Sequence, residues 1–270
     1  MKMSDKLRDI FRRELENQSK TLVGFASAGC PTPQESLDIM LAMIEGGVDV
    51  LEIGVPFSDP MADGAAIQAA SQKALAAGTK LEDVFALAAE INRLHPETGL
   101  VLFSYYNPIF HLGAERFAAR ARECGVSAVL AVDVPLEERE ELLPALRGEG
   151  LGLVPLVSPA TGKERTAKIT AGAGGFVYYI IYRGVTGVRT ELPEDLKPNL
   201  AALKETTDLP VAAGFGVSNP EMARKVAQAS DGVVMGSAFV KIQLDESLTL
   251  PEKQEKAEAL ARACKQALKI

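Results

Sequence analysis

Eight short apolar runs recur along this chain, each followed by a longer amphipathic stretch, and that alternation limits the possible folds more than any other feature. The runs are residues 22–26, 48–53, 100–104, 128–132, 152–157, 175–181, 209–213 and 232–235. They are apolar along most of their length instead of every second residue, as expected of strands covered on both faces. Between them, residues 33–45, 81–94, 114–124, 137–148, 163–171, 199–206 and 221–229 read as helices. Thr32-Pro33 and Ser218-Asn219-Pro220-Glu221 supply a polar cap followed by proline, a helix start. Strands separated by helices form parallel sheets, because parallel neighbours need a crossover. Eight such units favour closure into a (β/α)8 TIM barrel over an open doubly wound sheet. The 270 residues suit one barrel domain over 1–270, since such barrels run to about 250 residues. Residues 3–17 are expected to add a helix covering the barrel bottom, and residues 251–268 to form the last helix.

Bulk properties exclude several classes. A hydrophobic content of 47% excludes disorder. The net charge of −7, without a basic cluster, argues against nucleic-acid binding. No apolar run approaches the roughly 18 residues of a membrane span, and the charged N-terminal stretch lacks a signal-peptide core. Cys30, Cys124 and Cys264 form no CxxC pair and no metal spacing. Reduced thiols, a cytoplasmic location and no metal site are the expectation.

Two connections, residues 55–80 and 183–198, exceed a plain βα loop of about 2–6 residues. Oversized loops after barrel strands belong to the catalytic face. Glu52 lies inside the second apolar run and Asp63 in the long loop that follows it. A carboxylate within an apolar strand is costly unless it is hydrogen-bonded or used, and two acids in different settings can divide acid and base work. At the exits of strands seven and eight, Gly214-Phe215-Gly216 and Gly236-Ser237 let backbone N–H groups approach an anion. Gly184–Gly187 would close a third side. No basic residue lies within 214–216 or 236–238, so a phosphate there would be held by amides and a helix dipole. By themselves these residues leave open an isomerase or epimerase acting on a phosphosugar, because barrels host many chemistries.

The stretch Leu51-Glu52-Ile53-Gly54-Val55-Pro56-Phe57-Ser58-Asp59-Pro60-Met61-Ala62-Asp63-Gly64 closely resembles the signature of the tryptophan synthase alpha subunit family. Tyr105-Tyr106-Asn107-Pro108, Val132-Asp133-Val134-Pro135, Tyr178, Gly184–Gly187, Gly214-Phe215-Gly216 and Gly236-Ser237 extend the resemblance over most of the chain. It implies a (β/α)8 barrel that cleaves indole-3-glycerol phosphate to indole and glyceraldehyde 3-phosphate without metal or cofactor. It also implies a beta-subunit partner carrying pyridoxal phosphate, in an α2β2 assembly, facing residues 55–63 and 107–111. By the same resemblance Glu52 and Asp63 are the catalytic acids. Phe25, Phe103, Tyr105, Asp133, Tyr178, Gly187, Gly216, Gly236 and Ser237 are the expected substrate-binding residues, with Ile67 beside the indole slot. His95 and His111 are expected at the surface. The chain departs from the family pattern at Gly29-Cys30-Pro31, where Gly-Asp-Pro is common. It departs again at Gly64-Ala65-Ala66, where Gly-Pro-Thr is usual, and at Ile181-Tyr182-Arg183-Gly184.

Overall fold

The computed structural model describes residues 6–182, 192–214 and 216–270. Its strands are β1 (Thr21–Ser27), β2 (Val50–Gly54), β3 (Gly99–Ser104), β4 (Ala128–Ala131), β5 (Gly152–Leu153), β6 (Leu156–Val157), β7 (Val177–Ile180), β8 (Val211–Gly214) and β9 (Gly232–Met235). All pair in parallel, in the order β5-β4-β3-β2-β1-β9-β8-β7-β6. β5 and β6 are two pieces of one barrel strand, expected from the sequence as an unbroken run over 152–157. Pro155 lies between them and has no N–H to donate, so the ladder loses a bond there. Val154 N–H still donates to Val129 O at 2.9 Å, and Pro155 O accepts from Tyr178 N–H at 2.9 Å. The barrel therefore closes through a fifth strand interrupted at 154–155.

The side-chain alternation of the strands splits the core into two layers. Leu22, Ala26, Leu51, Ile53, Leu100, Leu102 and Val129 point outward and pack under the helices. Val23, Val50, Val101, Leu130, Val154, Tyr178 and Val234 point into the barrel. The first helix, Lys6–Glu16, plugs the lower end: Leu7, Ile10 and Phe11 join the interior cluster, at a spacing that shares one helical face. Gly232 makes room for it, since a Cβ there would stand 2.8 Å from Phe11 Cε1.

The expected helix starts are present. Thr32 accepts from Glu35 N–H and Asn219 from Met222 N–H, each followed by proline in the first turn. Helix Leu196–Lys204 begins before its expected start because Pro198 sits in the first turn, where no N–H is needed. The segment expected as a helix over 137–148 is a short 3-10 turn, Arg139–Glu141, then Leu143–Gly148 with Pro144 in its first turn. The long 55–80 connection contains an additional helix, Ala65–Ala76, whose buried Ile67, Ala70, Ser71 and Ala74 form a face of mostly small side chains. Further helices at Tyr106–Leu112 and Ser237–Leu244 follow β3 and β9 directly.

Candidate active site

The upper end of the barrel opens into a cavity of about 200 Å³. Strand register builds it. Phe25 on β1 stands beside Glu52 on β2, Glu52 beside Val101 on β3, and Gly54 beside Phe103. Residues one pleat above the interior layer thus converge on one space. The cavity is lined by Phe25, Glu52, Asp63, Ile67, Phe103, Tyr178, Gly216, Gly236 and Ser237, together with Ala62, Val132, Leu156, Ile180 and Val234. The Phe25 and Phe103 rings meet edge to face at 5.1 Å and form an aromatic wall. Gly54 is required beside it, because a Cβ there would lie 2.5 Å from Phe25 Cζ.

Glu52 is 1% exposed, and its Oε1 has no hydrogen-bond partner among the described residues. Burial pushes its carboxyl up to about 8, so it is protonated at neutral pH. Asp63 is 4% exposed and rises to about 6, lifted by burial and partly drawn back by a hydrogen bond from Tyr105. Near neutral pH one acid therefore holds a proton and the other a charge, in one cavity. Tyr178 faces both: burial first, then the two carboxyls, holds its phenol well above its ordinary range.

Tyr105 lies behind the cavity. Its hydroxyl donates to Asp63 Oδ2 at 3.1 Å and accepts from Ala62 N–H at 2.9 Å, and its ring stacks on Phe57 at 5.0 Å. Asp133 does not line this cavity. It accepts from Tyr106 N–H at 2.7 Å, at the start of helix Tyr106–Leu112, and borders a neighbouring cavity. Gly187, the rest of Gly184–Gly187, and Phe215 lie outside the described residues. Among the lining residues Gly216 adopts φ +94°, and Gly236 caps helix Ser237–Leu244 close to Phe25, where a Cβ would stand 3.4 Å from Phe25 Cβ. That helix turns its amino end toward the cavity, an arrangement suited to an anion.

The sequence model of the tryptophan synthase alpha chain family matches residues 11–269. The chain belongs to that family. The alpha chain of Erythrobacter litoralis is 46% identical over 242 residues, covering 89% of this chain and 92% of that one. The alpha chain of Zymomonas mobilis is 39% identical, covering 97% and 94%. Among solved structures, the alpha chain of Legionella pneumophila superposes with a TM-score of 0.88 at 32% identity, covering 97% of both chains. A Mycobacterium tuberculosis tryptophan synthase chain gives 0.89 at 30%, covering 98% of both.

For an alpha chain, the departures at Cys30 and Ala66 fall together in space. Cys30 is fully buried against Ile67, Ala70, Ala74 and Val240, with Ala66 beside them. An apolar seam thus joins the acid-bearing loop to helix Ser237–Leu244, and burial raises the Cys30 thiol to about 11, keeping it protonated. Sequence reasoning missed Ala62, Val132, Leu156, Ile180 and Val234 as lining residues. Period-two counting from Tyr178 reaches Ile180 and would have found one of them. Of the two histidines, His111 is exposed and His95 half-buried near Glu97.

Proposed function

We propose that this chain works as the alpha subunit of tryptophan synthase, cleaving indole-3-glycerol phosphate by a retro-aldol reaction, with Glu52 and Asp63 as its catalytic acids. The observation that carries the reading is the pairing of a protonated, fully buried Glu52 with a second, partly screened carboxyl, Asp63, across one apolar cavity. The indole ring occupies the slot between Phe25, Phe103 and Ile67. The phosphate lies at Gly216, Gly236 and Ser237, held by amides and the helix dipole.

Cleavage begins when Glu52 gives its proton to the ring carbon that bears the glycerol chain. The ring nitrogen becomes positively charged, and ionised Asp63 stabilises that charge by accepting its N–H. The Glu52 carboxylate then removes the proton from the adjacent side-chain hydroxyl. The hydroxyl oxygen forms the aldehyde C=O, the carbon–carbon bond breaks, and its electron pair returns to the ring. Indole leaves with the proton that Glu52 supplied, and the carboxyl is protonated again. The chain needs no metal or cofactor for this sequence of steps.

The partner is a beta subunit carrying pyridoxal phosphate, in an α2β2 assembly in the cytoplasm. Met61 on the acid loop is 81% exposed and Phe110 on helix Tyr106–Leu112 is 67% exposed, a pair of large apolar side chains suited to a protein contact. The Phe57–Tyr105 stack joins these two elements, and Tyr105 holds Asp63. Docking at this face therefore acts on a catalytic acid. The test is indole release from indole-3-glycerol phosphate by the purified chain, with and without a tryptophan synthase beta subunit. Slow release that quickens with the partner is expected; no release even in the complex would sink the proposal.

A further inference from the structure

The first barrel strand overruns its neighbour. The last registered pair between β1 and β9 is Gly24 with Met235, yet β1 continues to Ser27. Successive residues of a parallel strand turn their backbone groups to opposite sides. Thr21 N–H donates to Asp231 O on the β9 side, and Ala28 N–H donates to Gly54 O on the β2 side. Ser27 therefore faces the β9 side, beyond the end of that strand, and it is buried. A buried backbone pair without partners is costly.

Gln243 supplies those partners. Its Oε1 accepts from Ser27 N–H at 3.0 Å, and its Nε2 donates to Ser27 O at 3.0 Å and to Cys30 O at 3.0 Å. It is 0% exposed and lies in the last turn of helix Ser237–Leu244. The first turn of that helix, with Gly236 and Ser237, lines the catalytic cavity. The backbone carbonyl of Gln243 accepts from Lys253 Nζ at 3.0 Å, and Lys253 is itself buried. A cation at a helix carboxyl end complements the dipole whose positive end faces the cavity. Cys30, on the same loop, packs on helix Ala65–Ala76, which begins just after Asp63.

We propose that Gln243 is a positioning residue: it locks helix Ser237–Leu244 to the overrunning end of β1 so that the helix amides aim at the phosphate of the substrate, with Lys253 holding the far end. The inference rests on the phosphate placement proposed above. The side-chain amide does the work of a missing strand neighbour, so small changes in its bonding tilt the helix and move the phosphate end of the cavity. Gln243 bonds to the backbone of Ser27 and Cys30 and is not itself among the residues lining the cavity.

The test compares the full chain with Gln243→Leu, Gln243→Glu and Lys253→Met. The readouts are the Kd of glycerol 3-phosphate by calorimetry, and KM and kcat for indole release. For Gln243→Leu the Kd and KM are expected to rise at least tenfold, while kcat falls less than threefold. In Gln243→Glu the new carboxyl accepts from Ser27 N–H but donates only when protonated. Its affinity relative to the parent, measured at each pH, should therefore recover as pH falls from 8 to 6, whereas Gln243→Leu stays weak throughout. Lys253→Met should shift Kd in the same direction by a smaller factor, and it keeps the idea testable if Gln243→Leu does not fold. Folded Gln243 variants that bind glycerol 3-phosphate as the parent does would overturn the inference. Failure of the parent itself to bind glycerol 3-phosphate would instead overturn the phosphate placement.

Discussion

Replacing Glu52 by glutamine should make the protein more stable at neutral and alkaline pH, and by an amount that grows with pH. Glu52 titrates near 8 in the folded chain, against an ordinary value of 4.5, because burial disfavours its charge. The sign follows from linkage: a carboxyl whose folded pKa is raised contributes stability that is fully present below 4.5 and is lost as pH rises through 8. At about 1.4 kcal/mol per pH unit the whole loss is roughly 4 to 5 kcal/mol. The amide that replaces the carboxyl does not titrate, so its own fit in the cavity adds only an offset that is constant with pH. Urea unfolding of the parent and Glu52→Gln between pH 5 and 9 isolates the effect, since every other group cancels in the difference. The stability difference should climb by about 1.4 kcal/mol per pH unit over most of that range and flatten above pH 8. Curves that run parallel would mean that Glu52 is not held neutral by burial, and the acid half of the mechanism would fail with it.

The remaining predictions concern catalysis. The kcat/KM for indole release should follow a bell between about 6, where Asp63 ionises, and about 8, where Glu52 loses its proton; a flat profile over pH 5–9 would contradict the assignment of roles. Tyr105→Phe removes the bond that draws the Asp63 carboxyl down, so the acid limb of that bell should move to higher pH while the alkaline limb stays in place. Gly54→Ala puts a Cβ 2.5 Å from Phe25 Cζ, which should cost about 1–3 kcal/mol of stability and raise KM as the aromatic wall shifts, measured by urea unfolding and steady-state kinetics.

The eight strands were legible because both faces of each are covered, which leaves continuous apolar runs, and their boundaries moved by one or two residues only at the ends. The break at Pro155 was visible as a residue, yet its effect depends on which neighbour the ladder serves on each side. Helix Ala65–Ala76 escaped because a face of Ile67, Ala70, Ser71 and Ala74 carries little contrast against an alanine-rich remainder. Glu52 stood out as the acid in an apolar strand, and the glycines at 216 and 236 as strand exits. The part of Tyr105 in holding Asp63, and the placement of Asp133 at the start of helix Tyr106–Leu112, depend on side-chain directions that one-dimensional spacing does not carry. Gln243 was invisible for the same reason: its partners Ser27 and Cys30 lie more than 200 positions away in the chain.

The central claim is that one buried carboxyl, Glu52, moves the proton that breaks the carbon–carbon bond. The most direct measurement is kcat for indole release at pH 7 by Glu52→Gln beside the parent, both in complex with a beta subunit, with glycerol 3-phosphate binding checked in each. The account predicts a loss on the order of 10²–10⁴-fold in kcat with the Kd for glycerol 3-phosphate unchanged. A variant that binds glycerol 3-phosphate normally and keeps more than a tenth of the parent kcat would contradict it.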